Sequence, residues 1–305
     1  MNVKKIYDKL DKKLIFNKKF KIINNILIDN NLKKKNLKNF EIQFLKYGIY
    51  QYDEYTKSNY YWNRLLDATQ WDKKKIKKET VLEIGSGAGK YTTILKKLFK
   101  NVITVEPTDA IYLNKKMNGS KNIFYIKSTL ENMPLKKESF NYIFCYGVMQ
   151  HLQKPELGYE KIIKYLSVSG KASFDHYLKN FYPTPWETPK RFWRPITVRI
   201  SPEILFKIVK FYIPYYYYFD SFLKSFMVGK MLAAIIPIPC YNYGSLKFRK
   251  NILISLAILD TYDALSSRYD YPWSINKTKS FFKNFNHDKI EIKKKSNGIV
   301  INFEK

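Results

Sequence analysis

Short apolar segments that are typical of buried β-strands alternate with helical segments between Thr80 and Phe174. This alternation predicts parallel β-α-β units, because the crossover helices must cover the faces of the sheet that the strands form. The predicted strands are Thr80–Ile84, Val102–Glu106, Ile123–Ile126, Tyr142–Tyr146 and Lys171–Phe174. The predicted helices between them are Lys90–Leu98, Ala110–Lys116 and Glu156–Leu166. We therefore expect an α/β fold with a doubly wound, mostly parallel sheet.

Three regions flank the predicted core of residues 76–176. Residues 1–75 are interpreted as a helical N-terminal extension that packs over the ligand site. Residues 177–272 are rich in Pro and Tyr and too long for an ordinary loop, so they are predicted to form a helical cap insertion. Residues 273–305 are expected to complete the sheet with a last helix and an antiparallel hairpin. The elements predicted there are helix Asn276–Phe285 and strands Lys289–Lys294 and Ile299–Phe303, joined around Asn297-Gly298.

A glycine turn follows the first strand of this core, in Val81-Leu82-Glu83-Ile84-Gly85-Ser86-Gly87-Ala88-Gly89-Lys90. A strand that runs through such a turn into a helix places backbone N–H groups and the helix dipole beside a ligand. A P-loop would need glycine in place of Ile84 and Ser or Thr in place of Tyr91. A dinucleotide fingerprint would need glycine in place of Lys90. Both nucleotide motifs are therefore excluded.

The remaining pattern, E-x-G-x-G-x-G, resembles the first motif of class I S-adenosylmethionine-dependent methyltransferases. Later segments are similar to further motifs of small-molecule members of this family, of the ubiquinone-biosynthesis type. These segments are Leu130–Leu135, Ser139–Cys145, Gly147–Pro155 and Leu166–Lys171. The resemblance covers Thr80 to Phe174 and, loosely, the C-terminal hairpin. It implies a Rossmann-like fold and S-adenosyl-L-methionine as the cofactor.

The resemblance also implies which residues bind the cofactor. Glu106 closes the second strand about 20 residues after the glycines, where an acidic side chain can bind both ribose hydroxyls. Thr129 stands where many relatives have an Asp that accepts from the adenine amino group. Adenine recognition is therefore expected to depend on the Thr129 hydroxyl, on backbone groups around Leu130 and on apolar packing. The complete predicted cofactor-binding set is Glu83, Gly85, Gly87, Gly89, Glu106, Thr129, Leu130 and Tyr146.

Two histidines are candidate catalytic residues. Methyl transfer is an in-line substitution, so the protein must align acceptor, methyl group and sulfur, and a hydroxyl acceptor can call for a general base. His151 follows the fourth strand and His176 follows the fifth, at the sheet edge where such folds bind ligands. A structural role is the alternative for both. The third histidine, His287, lies in the C-terminal tail and is given no role.

The predicted substrate-side residues mix carboxyl groups with aromatic rings. Asp260, Asp263, Tyr269 and Asp270 lie near the end of the cap, and this mixture suits a hydroxylated or sugar-like acceptor. Capping and packing of a helix junction is the alternative interpretation. Trp62 and Arg64 in the N-terminal extension are further candidates. The predicted function is O-methylation of a small molecule, with a sugar or surface-glycan precursor as the preferred acceptor.

The formal net charge of +29 leaves two other acceptor classes open. Six of the 55 basic residues are Arg, so 55 − 6 = 49 are Lys. Nucleic-acid contacts favour the forked guanidinium group of Arg, so this composition does not favour a nucleic-acid substrate. An RNA methyltransferase remains the weaker alternative. A membrane-associated lipid or quinone methyltransferase could rest Ile204 to Phe226 and Met231 to Ile238 on a bilayer. A buried cap core is the favoured interpretation of those segments, and a non-catalytic scaffold is a further alternative.

Cys145 and Cys240 are far apart in the sequence and form no C-x-x-C or Cys/His cluster. This spacing predicts neither a disulfide framework nor a metal site. The charged N-terminus does not fit a signal peptide, and the apolar runs are too short to cross a bilayer. A cytoplasmic location is expected, with contact to the inner face of a membrane as an option. The sequence gives no oligomeric state.

Overall fold

The computed structural model describes residues 6, 8–32, 36–179, 187–285, 289–295 and 298–305. The strands are β1 (Phe20–Ile23), β2 (Ile26–Asp29), β3 (Thr80–Ile84), β4 (Asn101–Val105), β5 (Ile123–Lys127), β6 (Phe140–Cys145), β7 (Leu166–His176), β8 (Ile290–Lys295) and β9 (Gly298–Glu304). The helices are α1 (Lys12–Leu14), α2 (Lys38–Tyr47), α3 (Asp53–Thr56), α4 (Tyr60–Thr69), α5 (Lys73–Ile76), α6 (Thr92–Leu98), α7 (Ala110–Asn118), α8 (Pro155–Ile163), α9 (Glu187–Thr197), α10 (Pro202–Leu223), α11 (Met227–Ile235), α12 (Lys250–Ser266) and α13 (Ile275–Lys283).

The strands of the described residues form one sheet in the order β1-β2-β5-β4-β3-β6-β7-β9-β8. The strands from β2 to β7 pair in parallel, and both edges are antiparallel. Leu82, Ile103 and Ile143 are buried at the sheet centre, as expected for parallel strands covered on both faces. The predicted doubly wound α/β fold with a C-terminal antiparallel hairpin is thus confirmed. Asn297 of the predicted turn lies outside the described residues.

The N-terminal segment differs from the helical extension that the sequence predicted. Antiparallel strands β1 and β2 meet at Asn24 and Asn25, whose φ angles are 48° and 56°. Two consecutive positive φ angles are typical of the tight hairpin turns that Asn favours. Strand β2 then pairs in parallel with β5 and extends the sheet. The prediction of helix for this stretch was therefore wrong, because pairing with β5 gives the segment a strand partner.

The chain divides into two compact units with boundaries that differ from those predicted. The first unit contains the described residues of 1–34, 61–179 and 269–305, and the second those of 35–60 and 180–268. The predicted extension of 1–75 is therefore split between the units. Its residues Ile42 and Tyr47 pack against the core of the second unit, where the Tyr47 and Phe206 rings lie 5.9 Å apart.

The second unit is helical in the region of the predicted cap, from α9 to α12. Its core forms where α10 and α12 bury Leu205, Val209, Ile213, Ala257 and Tyr262. The Arg194 guanidinium donates to the backbone oxygens of Ala264 (2.8 Å) and Ser267 (2.6 Å), which ties α9 to the end of α12. In the part of the chain that the structure describes, no helix has the length and apolar content needed to cross a membrane.

Candidate active site

The glycine turn after β3 is held by the chain's own packing. Gly85 and Gly89 have φ angles of 72° and 96°, which favour glycine. A Cβ on Gly85 would lie 2.2 Å from Val148 Cγ2, and a Cβ on Gly89 would lie 2.3 Å from Asn114 Oδ1. Both positions therefore need glycine for close contact. The Val148 contact also joins the turn to the segment that follows β6.

Glu106 lies directly after β4 and faces the glycine turn. Its Oε2 accepts from the Gly87 N–H at 2.9 Å, and its Oε1 accepts from the Thr108 N–H (2.9 Å) and hydroxyl (2.6 Å). Burial raises the pKa of Glu106, and the hydrogen bonds from Thr108 and Gly87 oppose that shift. A carboxylate has about four acceptor positions, so three donors leave Oε2 with capacity for one more donor. A ribose hydroxyl fits this requirement.

Glu83 is buried at the end of β3 and accepts from the Thr92 hydroxyl at 2.6 Å. Thr92 begins α6, so this bond fixes the first turn of that helix against the strand. Burial raises the pKa of Glu83 to about 7, against the effect of the hydrogen bond from Thr92. The structure thus gives Glu83 a part in shaping the turn, and its contact with the cofactor stays a prediction.

Thr129 and Leu130 follow β5, and Leu130 belongs to the apolar core. The sequence did not identify Asp29, which lies at the end of the neighbouring strand β2. The Asp29 Oδ2 accepts from Asn132 Nδ2 at 3.0 Å and from the Ser128 hydroxyl at 3.5 Å. Asp29 therefore anchors the loop that carries the predicted adenine contacts. An acidic residue directly after the apolar run Ile26-Leu27-Ile28 was the available signal.

Tyr146 follows β6 and is largely buried. Its hydroxyl lies 2.8 Å from the Ser173 hydroxyl, and its ring stacks on Phe144 with centroids 4.2 Å apart. The Tyr91 ring, just after the glycine turn, lies edge-on to it at 5.9 Å. Contact of Tyr146 with the cofactor remains a prediction.

His151 ends the short 3-10 turn Met149–His151 after β6. Its Nδ1 lies 3.2 Å from the backbone oxygen of Tyr269. Because a carbonyl oxygen only accepts, Nδ1 carries the hydrogen and the lone pair is on Nε2. The ring is partly exposed and edge-on to Tyr177 at 5.5 Å. The catalytic role of His151 stays a prediction.

His176 differs from the catalytic role that the sequence suggested. Its side chain has 0% exposure, and its ring lies 4.6 Å from that of Trp273. Nε2 donates to the backbone oxygen of Tyr271 at 2.6 Å, so Nδ1 accepts from the Tyr159 hydroxyl at 2.9 Å. Burial lowers the pKa of His176 to about 4. With both nitrogens engaged in the interior, His176 has a structural role. His287 lies outside the described residues.

Gln150, which directly precedes His151, was not among the predicted site residues. Its side chain is 0% exposed, and neither Nε2 nor Oε1 has a hydrogen-bond partner among the residues that the structure describes. Buried amides are nearly always paired, so the unpaired Gln150 amide is unusual, and it lies directly before a candidate base. A polar residue directly after the apolar pair Val148-Met149 was the signal that could have identified it.

Arg64 and Trp62 lie on α4 but have different surroundings. Arg64 is 3.8 Å from Asp175 Oδ2, and Asp175 Oδ1 also accepts from the Gly147 N–H. Arg64 therefore lies at the carboxyl ends of β6 and β7. The Trp62 ring faces Lys97 Nζ at 6.0 Å, near the far end of α6 from the glycine turn. This contact does not support a substrate role for Trp62.

The four acidic and aromatic candidates are divided between the two units. Asp263 and Asp260 belong to the second unit, where Asp263 accepts from Gln43 Nε2 at 3.0 Å and Asp260 accepts from the Tyr243 hydroxyl. These bonds favour the structural interpretation for both. Tyr269 and Asp270 belong to the first unit, and the Tyr269 backbone contacts His151.

The fold and this site together define a class of protein, a Rossmann-like domain with a buried acid beside a glycine turn. Residues 82–174 match the model of a family described as a methyltransferase domain. Residues 82–174, less than half of the chain, are therefore assigned to a methyltransferase domain. No curated protein matches the sequence. Among the described residues, no group of three or more His, Cys, Asp or Glu side chains could hold a metal ion.

Several solved structures are similar to part of the chain. One is phosphoethanolamine N-methyltransferase 1 from Haemonchus contortus in complex with phosphoethanolamine and S-adenosylhomocysteine, with 19% identity, 34% of this chain and 23% of that chain covered, and a TM-score of 0.33. Another is N-methyltransferase NodS from Bradyrhizobium japonicum WM9 in complex with S-adenosylhomocysteine, with 20% identity, coverages of 33% and 53%, and a TM-score of 0.31. A S-adenosylmethionine-dependent methyltransferase from Aquifex aeolicus has 22% identity, coverages of 38% and 68%, and a TM-score of 0.32.

Proposed function

We propose that the whole chain is a S-adenosylmethionine-dependent methyltransferase that methylates a hydroxyl group of a small molecule. A sugar or surface-glycan precursor is the first acceptor class to test. The observation that carries this proposal is the close contact between the glycine turn and the segment after β6, where Gly85 meets Val148. That contact brings the cofactor-binding turn beside the segment that holds Gln150 and His151.

In this proposal, some residues of the chain bind the cofactor and another accepts a proton. S-adenosylmethionine, when bound, supplies a methyl group on a sulfonium. Glu106 and Gly87 would hold its ribose end, and Thr129 and Leu130 would contact its adenine. The His151 Nε2 would accept the proton of the acceptor hydroxyl, because the bond from Nδ1 to the Tyr269 oxygen places the lone pair there.

A methyl-transfer assay with labelled S-adenosylmethionine and a panel of sugars tests the proposal. We expect His151→Ala to lower kcat by about 10²- to 10⁴-fold, the usual contribution of a general base, while leaving cofactor affinity unchanged. His176→Gln is the matched control, because His176 is buried and structural. It should lower the free energy of unfolding without changing turnover per folded molecule. Full activity of His151→Ala would refute the base assignment.

A lipid or quinone acceptor is the second candidate. It is favoured by the exposed apolar residues of α10, since an enzyme that takes its acceptor from a membrane must lie on one. A panel that also contains isoprenoid quinones and phospholipids separates the two candidates. Transfer to a lipid with no transfer to any sugar would overturn the proposed acceptor class but retain the methyltransferase.

A further inference from the structure

One side of helix α10 exposes a continuous row of large apolar side chains. The row follows the spacing of three and four residues that places side chains on one face of a helix. Phe211 and Tyr215 are each 74% exposed. The members of the row are Ile204, Ile208, Phe211, Tyr215, Tyr218, Phe219 and Phe222. The opposite side of α10 forms the buried core of the second unit, so the row is additional to that core.

Helix α11 continues this exposed surface. The Phe222 and Phe226 rings lie 5.5 Å apart and connect the end of α10 to the start of α11. Five large apolar residues of α11 are also exposed, namely Met227, Val228, Met231, Leu232 and Ile235. We call the exposed residues of α10 and α11 the apolar face. A surface of this extent in a folded protein marks a contact with a partner or a membrane.

The charges beside the apolar face are mainly positive. Lys207, Lys210 and Lys230 are exposed on the same two helices. Lys250 Nζ lies 4.0 Å from the centre of the Tyr218 ring. The acids on these helices are Glu203 and Asp220, and Asp220 is buried, where it accepts from Lys224 at 2.7 Å and from Asn242 at 2.9 Å. This face therefore exposes apolar side chains and lysines to solvent, and Glu203 is the exposed acid of these two helices.

We propose that the apolar face binds the surface of an anionic lipid bilayer, with α10 and α11 lying in the plane of the headgroups. Helices that bind in this way have an apolar side that enters the acyl boundary and lysines that attract anionic lipid. Phe and Tyr are suited to this depth, because their rings are apolar and the Tyr hydroxyl stays wet. The proposal goes beyond methyl transfer and does not depend on the acceptor.

Flotation of the full chain with vesicles, in the absence of S-adenosylmethionine, tests the proposal. Vesicles of about three parts phosphatidylcholine to one part phosphatidylglycerol should bind the protein, and pure phosphatidylcholine should bind it less. Each lysine near the surface contributes about a five-fold factor, so high salt should release much of the bound protein. The variant F211E/Y215E should bind at least about ten-fold less.

The matched control is L157E/V168E. It changes two exposed apolar residues of the first unit to Glu, at Val168 (83% exposed) and Leu157 (53%), and alters the net charge equally. It should bind vesicles within about two-fold of the unchanged chain. Equal loss in both variants would show a charge effect alone and overturn the proposal. No binding by the unchanged chain, with a dimer in sedimentation that only F211E/Y215E dissociates, would assign the face to self-association instead.

Discussion

Replacing Gln150 with Met should stabilise the fold and weaken function together. The Gln150 amide is fully buried, and the described part of the chain offers it no partner. A buried amide without a hydrogen bond costs about 1 to 3 kcal/mol. Met has a similar length and no polar group that needs a partner. We therefore expect Gln150→Met to raise the free energy of unfolding by about 1 to 3 kcal/mol.

The functional effect should have the opposite sign. If the amide binds cofactor or acceptor, Met removes one or two hydrogen bonds, so kcat/KM or cofactor affinity should fall by about ten- to hundred-fold. Urea unfolding followed by tryptophan fluorescence measures stability, because three of the five tryptophans, Trp62, Trp71 and Trp273, lie in the same unit as Gln150. Calorimetric titration with S-adenosylmethionine and initial rates with acceptor measure the functional effect.

Gln43 provides a matched control. It is also buried, and its Oε1 has no partner among the described residues, but its Nε2 donates to Asp263 Oδ1 at 3.0 Å. Gln43→Met should therefore lower the free energy of unfolding by about 1 to 3 kcal/mol, because it removes a donor from a buried carboxylate. The reasoning would be refuted if Gln150→Met also destabilised the chain, or if it stabilised the chain while binding and turnover stayed unchanged.

Further predictions concern two other buried side chains. Glu83 has a folded pKa of about 7 against an unfolded value near 4.5, so the folded chain retains a proton and the free energy of unfolding falls as pH rises through this window. Glu83→Gln should remove that fall in urea titrations at a series of pH values. His176 acts in the opposite sense, since its pKa of about 4 makes stability rise towards pH 6.5, and the Glu83→Gln chain should show this rise; an unchanged profile would contradict the Glu83 assignment. Asp29→Ala should weaken S-adenosylmethionine binding by about ten-fold through loss of its bonds to Ser128 and Asn132, and an unaltered Kd would count against the anchoring role.

The parallel core could be predicted because local sequence determines it. The strands from β3 to β6 are mainly apolar, and the helices between them show their period, so the alternation is visible without any tertiary contact. The contact between Glu106 and Gly87 could be predicted for the same reason, since the carboxyl ends of adjacent strands share one edge of the sheet. Both follow from order along the chain.

The features that were missed depend on contacts between distant segments. Asp29 contacts Ser128, 99 residues away, and no local pattern shows that β2 pairs with β5. His151 and His176 both follow predicted strands in the sequence, and only the Tyr159 and Tyr271 contacts show that His176 is enclosed. Helix α10 is apolar on both sides, so its sequence could not show which side is buried.

Calorimetric titration of the purified chain with S-adenosylmethionine and S-adenosylhomocysteine, with NAD and ATP as controls, tests the central claim most directly. We predict binding of the first two in the micromolar range and no binding of the controls. Glu106→Ala should weaken that binding by about ten- to hundred-fold, because a charged hydrogen bond to ribose is lost, and Gly87→Val should weaken it as well. Absence of binding by the unchanged chain, or binding by both variants as tight as that of the unchanged chain, would contradict the assignment of the glycine turn and Glu106 as the cofactor site.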